Sequence, residues 1–148
     1  MRCAASLLVL LASCAACAAV GVAVPFSTLA KGLNSGVRQP AQAVIRNRDD
    51  WVAFWERHMR TQAESPSAPP VDFSADMVVA LFMGERGTAG HAIEITRVER
   101  TDSSLAIHYR TRGPDPGALL AQALTQPFHV IRLPRVDGPV MFVESPSR

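Results

Sequence analysis

Hydrophobic and polar positions alternate with two different periods along this chain, and the change falls near its middle. Trp51, Phe54, Trp55, His58 and Met59 recur at helical spacing, with Glu56, Arg57 and Arg60 between and after them. A 3.6-residue period gathers the first set on one face, so the pattern predicts an amphipathic helix over about 48–60 that packs through its aromatic stripe. Asn47 offers a capping oxygen, and Asp49 and Asp50 place acids in the first turn. His58 sits on the apolar face and is read as a core or boundary histidine. Ser65 to Pro70 carries three prolines and ends the helix in an extended surface loop.

Beyond that loop the period shortens to two. Met77 to Met83 is an unbroken apolar run of strand length, expected of a central strand buried on both faces. Ala92 to Glu99 alternates through Ile93 and Ile95. Leu105, Ile107 and Tyr109 alternate with Ala106, His108 and Arg110 across the polar turn Thr101 to Ser104, which predicts a hairpin. After the break Gly113 to Gly117, Ala118 to Leu124 reads as one helical turn or an irregular connection. Phe128 to Leu133 and Val140 to Val143 are two more strands, and Phe26 to Leu29 and Ala41 to Ile45 are short strands before the helix. Antiparallel neighbours joined by short turns, plus one sizeable helix, make an α+β fold. It is expected to be a small, mainly antiparallel β-sheet or sandwich with one principal amphipathic helix.

The first residues follow neither period. Met1-Arg2 is followed by an uncharged, alanine- and leucine-rich run from Cys3 to Val24. Residues 1–23 therefore read as an export signal or lipoprotein leader, and residues 24–148 as one domain. Three outcomes remain open for the leader. Gly21-Val22-Ala23 suits cleavage before Val24, Leu11-Ala12-Ser13-Cys14 resembles a lipobox with Cys14 as the lipidation candidate, and the apolar run is about long enough to stay as a membrane anchor. Each reading places the domain outside the cytoplasm, in the periplasm, in the cell envelope or secreted. All three cysteines, Cys3, Cys14 and Cys17, lie in the leader. The domain thus has no disulfide, thiolate metal site or cysteine nucleophile to draw on. The net charge is only +2 and the arginines are scattered from Arg38 to Arg135. Nucleic-acid binding needs basic groups clustered on one face, so no nucleic-acid partner is expected.

Little catalytic chemistry assembles from the remaining residues. Gly84, Gly87 and Gly90 follow a strand, but no Lys-Ser/Thr pair accompanies them and a strand, not a helix, comes next. No nucleophile elbow is present. Asp72 and Asp76 border turns and are read as caps. His91, His108 and His129 belong to three predicted strands that could converge on zinc as a hydrolytic centre, although no closely spaced pair supports this. The reading set against it is three surface histidines. No enzyme and no cofactor is therefore expected. The alternative is a small periplasmic metal-dependent hydrolase or ligand-binding protein using His91, His108 and His129. The segment from Gly84 to His91 must lie at a sheet end, either as a tight turn or bulge that needs glycine at positive φ or as a recognition loop with Glu85, Arg86, Thr88 and His91 as its candidate binding residues.

Several segments share an order with a known family. Val71-Asp72-Phe73-Ser74, the run from Met77 to Gly84, the loop Arg86-Gly87-Thr88-Ala89-Gly90-His91 and Leu124-Thr125-Gln126-Pro127-Phe128-His129-Val130 resemble the C-terminal domain of the protease complex subunit PrcB family. Where the family's loop has Thr-Gly-Gly and an aromatic, this chain has Thr88, Ala89, Gly90 and His91. The resemblance implies an extracytoplasmic accessory or interaction domain without assigned catalytic residues. It also implies a protein partner such as a protease in a surface or periplasmic complex; the leader, independently, allows membrane attachment through Cys14 or the N-terminal apolar segment.

Overall fold

The computed structural model describes residues 21–63, 66–101 and 104–146. Cys14 and the lipobox-like segment lie outside the described residues. Eight strands and one helix follow in the order β1 (Val22–Ala23), β2 (Ser27–Gly32), β3 (Ala41–Ile45), α1 (Arg48–Met59), β4 (Asp76–Phe82), β5 (Ala92–Arg100), β6 (Leu105–Arg112), β7 (Phe128–Pro134) and β8 (Val140–Glu144). They form two four-stranded sheets, β1-β5-β6-β8 and β2-β7-β4-β3. All pairings are antiparallel except β6 with β8. The α+β class and the predicted hairpin are both observed.

The helix, the second sheet and the first sheet stack as three layers, and β4 explains why. Its residues Val78, Ala80 and Phe82 join Trp51, Phe54, Trp55 and Met59 of the helix in one core. Met77, Val79 and Leu81, on the opposite face, pack with Ile93, Ile95, Val98, Leu105 and Ile107 of the other sheet. A strand with core on both sides has no solvent face to mark with polar residues, hence its continuous apolar run. The neighbouring β7 repeats the pattern, with Phe128 and Val130 toward the helix and Ile131 and Leu133 toward the other sheet.

Helix α1 begins as its sequence requires, with the Asn47 side chain accepting from the Asp50 amide at 2.9 Å. The proline-rich loop is tied back onto it. Trp51 Nε1 donates to the Pro69 carbonyl at 2.9 Å and Trp55 Nε1 to the Pro66 carbonyl at 2.7 Å. His58 is buried among Phe54, Trp55, Phe82 and Phe128, bonded to Ser35 Oγ through Nδ1 at 2.9 Å. Desolvation lowers its pKa to about 4. Of the two readings of 118–124, the irregular connection is the observed one. Val22 and Ala23, the last two residues of the predicted leader, pair with Arg100 and Glu99 at the edge of β5.

Candidate functional site: the loop end of the sandwich

Three connections meet at one end of the two sheets: 33–40 before β3, 83–91 after β4, and 113–127 between β6 and β7. Their backbones are laced together. Glu85 N donates to Arg38 O at 2.8 Å, Gln126 N to Leu33 O at 2.6 Å and Ala89 N to Ala121 O at 3.2 Å. Arg86 and Thr125 form an isolated antiparallel bridge, bonded in both directions at 2.7 and 2.9 Å. The glycine-bearing loop is therefore a braced element.

Two of its glycines are required by that bracing. Gly84 has φ of 79° and packs so closely on Pro40 that an added Cβ would lie 2.8 Å from it; Gly90 has φ of 88° and would meet Pro114 at 2.9 Å. Side chains are disfavoured at both positions by backbone conformation and by space. Gly87 has open space around its Cα, so only this glycine answers to neither constraint.

The four candidate loop residues divide into different roles. Glu85 is half-buried and accepts from Gln126 Nε2 at 2.9 Å, with Arg38 Nε at 3.6 Å, so it braces the neighbouring connections. Thr88 and His91 come together, Oγ1 to Nε2 at 3.4 Å, and Thr125 Oγ1 donates to the Thr88 carbonyl at 3.3 Å. His91 Nδ1 is buried with no hydrogen-bond partner. Arg86 turns toward a cleft of about 570 Å³ that also reaches Gln42 of β3 and Tyr109, Thr111 and Glu144 of the other sheet.

The polar lining of that cleft spans both sheets. Tyr109 shares hydrogen bonds with Gln42 and Glu144, and burial, followed by the Glu144 charge, raises its phenol pKa above the ordinary value. Thr111 Oγ1 donates to Glu144 Oε1 at 2.6 Å. Sequence periodicity could not find this site, because its members come from strands far apart in the chain.

A second feature of the same end also went unseen in the sequence. The connection 113–127 leaves Leu119 fully exposed and Leu124 67% exposed, and Leu33, whose carbonyl accepts from Gln126, is 44% exposed. The sequence leaves Ala118 to Leu124 open between one helical turn and an irregular connection, and neither reading places its leucines. The structure shows an irregular segment there, following the turn-forming Gly113 to Gly117, and it leaves these leucines uncovered.

The three histidines of the metal alternative are not brought together. His91 is bonded to Thr88, and His108 Nε2 meets Glu99 Oε2 at 3.0 Å on the outer face of the first sheet. His129 is 3% exposed and bridges the two sheets: its Nδ1 accepts from the Ile95 amide at 2.8 Å and its Nε2 meets Thr28 Oγ1 at 2.9 Å. The reading of three surface histidines fails for His129, because β7 lies inside the sheet with core on both faces. Among the described residues no group of three or more His, Cys, Asp or Glu side chains could hold a metal ion.

Residues 77–134 match the family model described as PrcB C-terminal. The match runs from Met77 in β4 to Pro134 at the end of β7, so it takes in the glycine-bearing loop and the 113–127 connection. The segment Val71–Ser74 and the tryptophan helix lie outside it. The chain is thus similar to the PrcB C-terminal family over that central stretch. No curated protein and no solved structure matches the chain.

Proposed function

We propose that this chain is an exported accessory domain that acts by binding another protein in the setting of an envelope protease complex, and not by catalysis. Export rests on the apolar, uncharged run Cys3 to Val24 behind Met1-Arg2, and the protease setting on the PrcB C-terminal similarity of residues 77–134. The observation that carries the binding reading is the exposed apolar connection at the loop end, where Leu119 and Leu124 stand in solvent beside the braced glycine loop. Single surface leucines are ordinary, but two large aliphatic side chains this exposed within one short connection favour a protein contact. Each of His91, His108 and His129 being held by a different partner favours the same reading over hydrolysis.

Co-purification of the tagged protein from the envelope fraction of its native host tests this. The wild type is expected to bring down a protease or a subunit bound to one. Leu119→Asp with Leu124→Asp is expected to lose it while melting as the wild type does, since both side chains are exposed. Identical captures by the two proteins, or the absence of any protease from the wild-type capture, would overturn the proposal.

A further inference from the structure

The cleft at the loop end contains one charge that the described residues leave uncompensated. Arg86 is half-buried and makes no ion pair among the described residues; its guanidinium reaches only the Glu85 carbonyl, at 3.5 Å. Partial removal of a cation from water without a partner is unfavourable, and a carboxylate binding there would offset that cost. The one acid in the cleft, Glu144, already receives hydrogen bonds from Thr111 and Tyr109. Of the apolar residues around it, Met83 is half-buried and faces the cleft, whereas Leu81 and Ile93 belong to the core behind it. A cleft of about 570 Å³ also lies within the range of roughly 300–1,000 Å³ in which small-ligand sites fall.

A second concavity, of about 550 Å³, differs in this respect. Its Lys31 and Arg110 both bond to Glu94, at 2.7 Å each, and its third cation, Arg112, is exposed and keeps its hydration. Two edge strands, β3 and β8, flank the Arg86 cleft through Gln42 and Glu144, and neither has a hydrogen-bonded neighbour on its outer side. An extended chain entering here could add main-chain hydrogen bonds to either edge.

We infer that this cleft binds the carboxyl-terminal end of a partner polypeptide, with the terminal carboxylate on Arg86 and an apolar side chain against the half-buried Met83. The inference rests on the protein-binding reading above and adds the site and the chemistry of the group recognised. Recognition is by charge and apolar area together, so an amide or a short polar acid is a poor substitute.

Calorimetric titration with N-acetyl-leucyl-phenylalanine, compared with its C-terminal amide, tests the inference on the full domain. The free acid is expected to bind saturably and the amide at least roughly tenfold more weakly, as loss of a charge-assisted pair implies. Arg86→Met is expected to reduce the acid to the level of the amide without changing the amide, while Gln42→Trp, at an exposed position, blocks both. Thermal melts of each variant show whether the fold is retained. Equal binding of acid and amide overturns the inference, as does no binding of either or a preference that survives Arg86→Met. Because this assay needs no partner, a protease captured through Leu119 and Leu124 alongside a silent titration removes only the cleft. Acid-selective binding without any captured protease leaves the cleft standing and removes the protease setting.

Discussion

His129 concentrates in one side chain the constraint that joins the two sheets. Its Nδ1 must be unprotonated to accept the Ile95 amide, so the proton sits on Nε2 and is donated to Thr28 Oγ1. The accepted amide lies beside the irregularity between Ile95 and Arg97, where the β5–β6 register shifts. Burial, with Lys31 adding to it and Glu94 opposing, lowers the His129 pKa to about 4, against about 6.5 for an exposed imidazole. Above pH 6.5 neither folded nor unfolded chain binds this proton, and the group adds no pH dependence. As pH falls from about 6.5 toward 4 the unfolded chain takes up a proton that the folded one refuses, so stability falls. His58 titrates in the same direction for the same reason. Each can remove up to about 3 kcal/mol across that window. Denaturant titrations at pH 7.5 and 4.5 should show wild type losing more stability than His129→Asn, whose amide oxygen can still accept from Ile95 but does not titrate. Equal losses in the two proteins would show that His129 is not held neutral.

At the scale of the element, α1 depends on two indoles that pack and also hold a loop. Trp51 and Trp55 are 2% and 6% exposed, and their rings lie 5.2 Å apart between centroids. Replacing either by alanine should cost about 3–5 kcal/mol, the usual range for a buried aromatic. Phenylalanine should cost less, because it keeps most of the bulk and gives up chiefly the bond to Pro69 or Pro66, worth about 1 kcal/mol. Chemical denaturation measures both series. Alanine variants that unfold at the wild-type midpoint would mean the helix does not pack on β4 as described.

The whole molecule bears on where the mature chain starts. Val22 and Ala23 cover the edge of β5, and Val24 N donates to Val98 O at 2.9 Å. Cleavage before Val24 would remove that short strand and bare an edge, whereas processing at Cys14 would keep it. Mass spectrometry of protein from its native host is therefore expected to find a mature chain that keeps Val22 and Ala23, with a diacylglycerol on Cys14 if the lipobox is the processed site. A mature terminus at Val24 would show that the edge strand is expendable, and intact Met1-Arg2 would rule out both cleavages.

Local sequence was sufficient wherever one period described one environment. The aromatic stripe of α1, the doubly buried β4 and the alternating β5–β6 hairpin were legible because each residue's exposure follows from its position in a regular repeat. The need for glycine in the 84–90 loop was legible too, but not its cause, since Gly84 and Gly90 are confined by Pro40 and Pro114 from other parts of the chain. Tertiary structure alone decided the roles of isolated polar residues. His129 and His91 look alike in sequence, yet one bridges two sheets and the other closes a loop. Arg86 looks like any surface arginine until strands distant in the chain place Gln42, Tyr109 and Glu144 around the same cleft. Leu119 and Leu124 have no periodic pattern to place them, and only the irregular path of their connection leaves them in solvent. Periodicity reports the average environment of an element, whereas a charge or hydrogen-bond partner is set by which elements become neighbours, and that depends on strand order and register.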